Sequence, residues 1–136
     1  MVFSKTAGFR HSSIEAGQAA IVKLGQENGF GVEITEDASI FNDEQLNDFK
    51  TVVFLSTTGD MLDHYQQVAF ERFIQAGGGY VGIHGATDAE YKWPWYAKLS
   101  GGYFAGHPAT QNAVLNILDN THASTKHLGK KWSRVD

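Results

Sequence analysis

The chain has 136 residues, 42% of them hydrophobic and 19% charged, with two prolines, no cysteine and a formal net charge of −4. That is the length of one domain, able to bury roughly two-thirds of the surface its unfolded chain would expose, with the composition of an ordinary soluble globular protein. The acidic balance, with no basic run except "KHLGKKWSR", argues against a nucleic-acid partner; no apolar run reaches the roughly 18 residues of a membrane span, no signal-peptide pattern is present, and the missing cysteines remove disulfides, thiolate metal sites and thiol catalysis together.

"MVFS" predicts a stub of a first strand, followed by the glycine-containing loop "SKTAGFRH". From Ser12 the spacing of Ile14, Ala20, Ile21 and Leu24 follows a helical period, with Ser12 or Ser13 as N-cap and "ENG" as a glycine stop, so a helix is expected over about 13–28. "FGVEITE" alternates apolar and polar like a strand, and "DASIFNDEQLNDF" reads as a loop and a short helix capped by Asn42 or Asp43. "TVVFLS" is the continuous apolar run of a parallel strand buried on both faces. After "TTGD", the segment "DHYQQVAFERFIQAGGG" puts Val68, Phe70, Phe73 and Ile74 mainly on one side of a helix that ends in glycines, and "YVGIH" reads as the next buried strand. "WPWYAKL" predicts a short helix with Pro94 in its first turn, and "NAVLNILD" a further strand. The alternation of strands and helices implies right-handed crossovers and a mostly parallel sheet covered on both faces. The first strand is short and the chain stops at "KKWSRVD" without a closing element. Both features predict that residues 1–136 are an incomplete fragment of a single domain.

In open parallel sheets, ligands bind beyond the carboxyl ends of the strands. The loops reaching that edge are "SKTAGFRH", "EDAS", "STTGD" and "HGATD", so Arg10, His11, Thr58, Asp60, His84, Thr87 and Asp88 are expected on one rim. "STTGD" has two readings: a phosphate-cradling turn before a helix N-terminus, or a helix cap by Asp60 or Asp63 with a turn glycine. Arg10 and His11 similarly either hold an oxyanion or sugar hydroxyl, or merely precede a cap.

His84 stands at a strand-to-helix turn between Gly82 and Gly85, which permit a tight backbone there. Histidine at such a tip can serve as general acid or base, or as a metal ligand; its bland reading is a histidine hydrogen-bonded at a strand end. His107 is rigidly presented by the proline that follows it. With His11 and His84 it would make a three-imidazole zinc cluster, although no short-range histidine pair supports one. His64, His122 and His127 read as surface residues. Trp93 and Trp95 in "YKWPWY" suit either a carbohydrate cleft or an aromatic plug at the end of the sheet.

"VFSKTAGFRHSSI", "FLSTTGD", "FERFIQAGGGYVGIHGATDAEYKWPWYAKLSGGYFAGHP" and "HASTKHL" together resemble the ThuA-like, or trehalose-utilisation, family over nearly the whole chain. The resemblance implies a three-layer flavodoxin-like sandwich similar to the class I glutamine amidotransferases. It also implies a role in the use of trehalose or related disaccharides, including keto-glycosides. Where those amidotransferases carry a cysteine nucleophile this chain has His84, so glutamine hydrolysis through a thioester is excluded. His11, Thr58, Asp60, His84, Thr87, Asp88 and His107 are the pocket positions the resemblance marks. Its further implications are a longer family domain, a small carbohydrate as partner, a homo-oligomer that could complete the core, and an extracytoplasmic (periplasmic) rather than cytoplasmic setting. The cofactor is left unknown. Three readings stay open: a sugar-modifying or glycoside-acting enzyme with His84, His107, His11, Asp60 and Asp88 as catalytic candidates and Arg10, Thr58, Thr87, Trp93 and Trp95 as substrate contacts; a non-catalytic carbohydrate-binding or interaction domain; and a metal-dependent hydrolase.

Overall fold

The computed structural model describes residues 1–135, which form two compact units, Met1–Ala105 and a second that begins at Gly106. In chain order the first unit holds β1 (Val2–Phe3), α1 (Ile14–Asn28), β2 (Ile34–Thr35), α2 (Asp43–Leu46), β3 (Thr51–Leu55), α3 (His64–Gln75), β4 (Gly79–Ile83), a 3-10 turn (His84–Thr87) and α4 (Pro94–Ser100). Its four strands lie in the order β2-β1-β3-β4, and every adjacent pair is parallel. This is the parallel α/β sheet expected from the strand and helix alternation, in the flavodoxin-like form that the family resemblance implies.

The helices begin and end where local chemistry allows. α1 stops at Gly29, which donates to the Gly25 carbonyl and whose left-handed backbone (φ 74°) turns the Phe30 N–H back to the same carbonyl at 3.0 Å. α2 is capped by Asn42, whose side chain accepts from the Gln45 N–H. α3 opens with a capping box between Asp63 and Gln66, which settles the role of Asp63 as a helix cap. Pro94 occupies the first turn of α4.

Strand register sorts the side chains onto two faces. Val52 and Phe54 of β3 point with Phe3 of β1 and Tyr80 of β4 toward α2, α3 and α4. There Phe3, Phe41, Phe54, Phe70 and Tyr96 pack as one aromatic core, with Phe54 stacked on Phe70 at 5.3 Å and on Tyr96 at 5.8 Å. On the opposite face Leu55 packs against Gly17 of α1 so closely that a Cβ on Gly17 would stand 2.9 Å from a Leu55 methyl.

Two sequence expectations are corrected. The strand expected from "FGVEITE" shrinks to Ile34–Thr35, because β1 offers only Val2 and Phe3 as ladder partners and Val32 turns instead toward Gly25. β4 is not buried: it is an edge strand, and Val81 is 45% exposed. The further strand expected from "NAVLNILD" forms as β5 (Asn112–Asn116), paired antiparallel with β6 (Lys131–Val135) in the second unit. There Val114, Leu118 and Val135 are exposed, and the Arg134 guanidinium lies 5.5 Å from the centre of the Trp132 ring.

Candidate active site at the carboxyl rim of the sheet

Three loops meet beyond the carboxyl ends of β1, β3 and β4. Thr58 bridges Thr6 in parallel fashion, and its carbonyl accepts the N–H groups of Ala7 and Gly8 at 2.7 and 3.2 Å. Gly59 in turn donates to the Asp88 carbonyl at 2.8 Å and accepts from the Glu90 N–H at 3.1 Å. The approach is close enough that only glycine fits: a Cβ on Gly59 would stand 2.9 Å from the Gly8 nitrogen, and its φ of 74° is left-handed. The rim is thus an extension of the sheet ladder by irregular backbone, which fixes the loops relative to one another.

Among the described residues three non-glycines have positive φ, and all belong to this rim: Ser56 at 51°, His84 at 52° and Glu90 at 56°. Such conformations cost on the order of 1–2 kcal/mol per residue and concentrate at functional sites. At the His84 turn the strain sits on the histidine itself rather than on the flanking glycines, whose roles are steric. A Cβ on Gly85 would come 3.2 Å from His11 Nε2, and one on Gly82 would come 2.6 Å from the Tyr80 hydroxyl.

The result is an imidazole pair. The rings of His11 and His84 lie 4.4 Å apart, centre to centre, at 70°, with Phe9 edge-on to His11 at 4.9 Å. His84 is exposed and His11 half-buried. Burial first, and the neighbouring His84 second, hold the His11 pKa below the ordinary imidazole value, while the Asp88 carboxylate opposes them. The Tyr91 hydroxyl donates to Asp88 Oδ1 and lies 3.0 Å from the Phe104 carbonyl. Beside that carboxylate the phenol is pushed up to about 12. The structure thus brings His11, His84 and Asp88 together on the rim.

The remaining sequence candidates are placed differently. Asp60 pairs with Lys92 at 2.8 Å on the surface, and Arg10 bridges Glu15 and Glu36, both at 2.9 Å. The Thr58 hydroxyl is buried and donates to the Phe9 carbonyl at 2.8 Å. Thr87, half-buried, accepts the Phe104 N–H through its carbonyl. Trp93 lies in the aromatic core and its indole N–H donates to Glu71 at 2.8 Å, with the half-buried Trp95 stacked on it at 5.1 Å. His107 belongs to the second unit, where its Nδ1–H donates to the Pro108 carbonyl at 2.8 Å. Among the described residues no group of three or more His, Asp or Glu side chains has an arrangement able to hold a metal ion.

Glu90 was not singled out from the sequence. Only 1% exposed, it accepts the Met61 and Leu62 N–H groups at 2.7 and 2.9 Å through Oε1 and the Gln67 amide at 2.7 Å through Oε2. Burial raises its pKa against the pull of these donors. It thus takes up the Met61 and Leu62 N–H groups between "STTGD" and α3 with a carboxylate of the chain itself. A glutamate in "DAEYK" carries no local signal of burial, since glutamate is almost always exposed.

A concavity of about 740 Å³ lies at the other end of the strands, lined largely by apolar side chains such as Ile21, Phe30, Val32, Phe49 and Val53. It contains none of the rim histidines. No helix among the described residues is long and apolar enough to cross a membrane.

The family described as "ThuA: Trehalose utilisation" matches residues 1–136. Among solved structures, the chain is similar to a ThuA-like protein from Bacteroides uniformis ATCC 8492, with a TM-score of 0.79 and 23% identity over 98% of this chain and 57% of that one. The chain therefore spans 57% of the length of that relative. No curated protein matches it.

Proposed function

The chain belongs to the ThuA, trehalose-utilisation family, and from that premise we propose that it acts on a small carbohydrate, trehalose or a related disaccharide or keto-glycoside, through the histidine-containing rim. In this reading His84 donates or accepts a proton at the sugar, His11 is its partner and Asp88 orients the pair. The observation that carries it is the left-handed His84 held 4.4 Å from His11. A depressed pKa keeps His11 neutral and able to accept a proton at neutral pH. Glutamine amidotransfer is not part of this function, because the chain has no cysteine to form a thioester.

The test is to incubate the protein with trehalose and with its keto derivative, following product formation and binding by calorimetry. Loss of a general acid or base costs about 10²–10⁴-fold in rate. His84→Ala should lower turnover by that factor while sugar binding survives. Binding without turnover in the wild type would instead mark a carbohydrate-binding module. No binding of either sugar would remove the carbohydrate reading altogether.

A further inference from the structure

The His84 turn has a support that none of the pocket residues supplies. The Tyr96 hydroxyl donates to the Ala86 carbonyl, two residues beyond His84, at 2.6 Å. The Tyr80 hydroxyl lies 2.9 Å from that of Tyr96. Because the Tyr96 proton is directed at Ala86, Tyr80 must be the donor of the second bond, giving a one-way chain from Tyr80 through Tyr96 to the turn.

Each link is immobilised. Tyr96 is fully buried, stacked on Trp93 at 5.7 Å and on Phe54 at 5.8 Å. Tyr80 packs edge-on against Phe54, and its hydroxyl fills the space above Gly82 where any side chain would stand. Burial raises the pKa of both phenols, so both remain donors across the physiological range. A backbone held at φ 52° without glycine persists only if its surroundings impose it. This chain meets the turn from the core side at Ala86, while His11 stands close over Gly85 on the rim side.

We propose that Tyr96, oriented by Tyr80, is a positioning residue that holds the His84 turn in its left-handed conformation and so sets the His84 imidazole against His11. The proposal rests on the reading of that imidazole pair as the working part of the site. It assigns the aromatic residues of this region a part in the site different from sugar stacking: the Tyr96 ring belongs to the core and only its hydroxyl serves the rim.

The experiment follows the six imidazoles of the full chain by NMR through a pH titration, with His11 and His84 identified by His11→Gln and His84→Gln. In Tyr96→Phe the turn loses its donor. The His84 resonances should shift and the His11 midpoint should rise as the two rings move apart, while His122 and His127 stay in place. Tyr80→Phe, which keeps the Tyr96 bond to Ala86 but removes its orienting donor, should move the same signals in the same direction by less. Thermal unfolding of each variant measures the purely structural loss separately. Should Tyr96→Phe fail to fold, Tyr80→Phe alone decides: movement of the His11 and His84 signals supports the proposal, and wild-type signals overturn it. Wild-type signals in both variants likewise reduce the tyrosines to core residues. A wild-type protein indifferent to trehalose would defeat the carbohydrate reading without touching this result.

Discussion

The two faces of the parallel sheet are built on different principles. The face toward α2, α3 and α4 is a continuous aromatic core in which Phe3, Phe41, Phe54 and Phe70 are almost wholly buried. The face toward α1 is covered by a helix whose buried residues are Ile14 and Gly25 alone, and there Val53 is half-buried and Val81 exposed. Both faces come from the same strands, since neighbours such as Val53 and Phe54 point opposite ways. The rim chemistry joins the two: His11 arrives on the loop entering α1, whereas Glu90 and Tyr96 reach the rim from the aromatic side. Stability is therefore concentrated on one face, and the imidazole pair is braced from it.

The sharpest way to break this contrast is Phe54→Ala. Phe54 contacts the rings of Phe3, Phe41, Phe70, Tyr80 and Tyr96, so its loss leaves a cavity at the centre of the core and should cost about 3–5 kcal/mol in urea unfolding. A loss no greater than an exposed residue gives would mean that the aromatic face is not the one holding the fold.

Next in size is Glu90→Ala, which strands the Met61 and Leu62 N–H groups and should cost on the order of 1–3 kcal/mol. Its pH dependence has a definite sign. The folded carboxyl keeps its proton to a higher pH than the unfolded one. Its contribution is thus complete below the ordinary carboxylate range and is lost as pH rises from that range through the raised value. Wild type should accordingly lose stability relative to Glu90→Gln as pH rises from the ordinary carboxylate range through the raised value. A constant difference would show that Glu90 is ionised in both states alike.

What the sequence conveyed, and what it did not, follows the same division. The helices α1 and α3 and the strand β3 announce themselves by apolar period and by the caps at Asn28–Gly29 and Asp63, because these signals are local. The glycines around His84 also marked the rim correctly, though the positive φ falls on His84 and the glycines make room for His11 and Tyr80. Exposure of β4 was invisible, because it depends on which strands pair beside it and an apolar run reads the same at an edge as in the middle. The pairing of β5 with β6 is likewise non-local, and Lys131–Val135 has no strong alternation to announce it. Glu90 lay beyond any local rule, for its burial is created by Met61, Leu62 and Gln67 from elsewhere in the chain.

Smaller effects sharpen the rim. In Gly85→Ala a Cβ 3.2 Å from His11 Nε2 and 3.4 Å from the Ser56 Cα forces the imidazole to give way, for about 1 kcal/mol and a displaced His11 NMR signal. His11 itself should titrate below the ordinary imidazole value. Because its folded pKa is lowered, the stability it contributes is complete above that ordinary value and is lost as pH falls through the lowered one. His84→Gln should bring the midpoint only part of the way back, since burial is the larger cause, and Asp88→Asn should depress it further. A full return in His84→Gln would make charge, not burial, the dominant cause.

The smallest effect belongs to the thin face. Val81 pairs with Val53 in register and is 45% exposed, so Val81→Thr keeps the β-branched shape and adds a hydroxyl that water can reach. Exposed substitutions of this kind stay within about 0.5 kcal/mol, several-fold below Phe54→Ala. The urea midpoint should therefore barely move, and equally little at every protein concentration. A larger cost that grew with protein concentration would mean that Val81 is covered in solution by a second copy. The contrast between the faces would then describe a protomer rather than the assembled protein, and the α1 side would count as an interface rather than as surface.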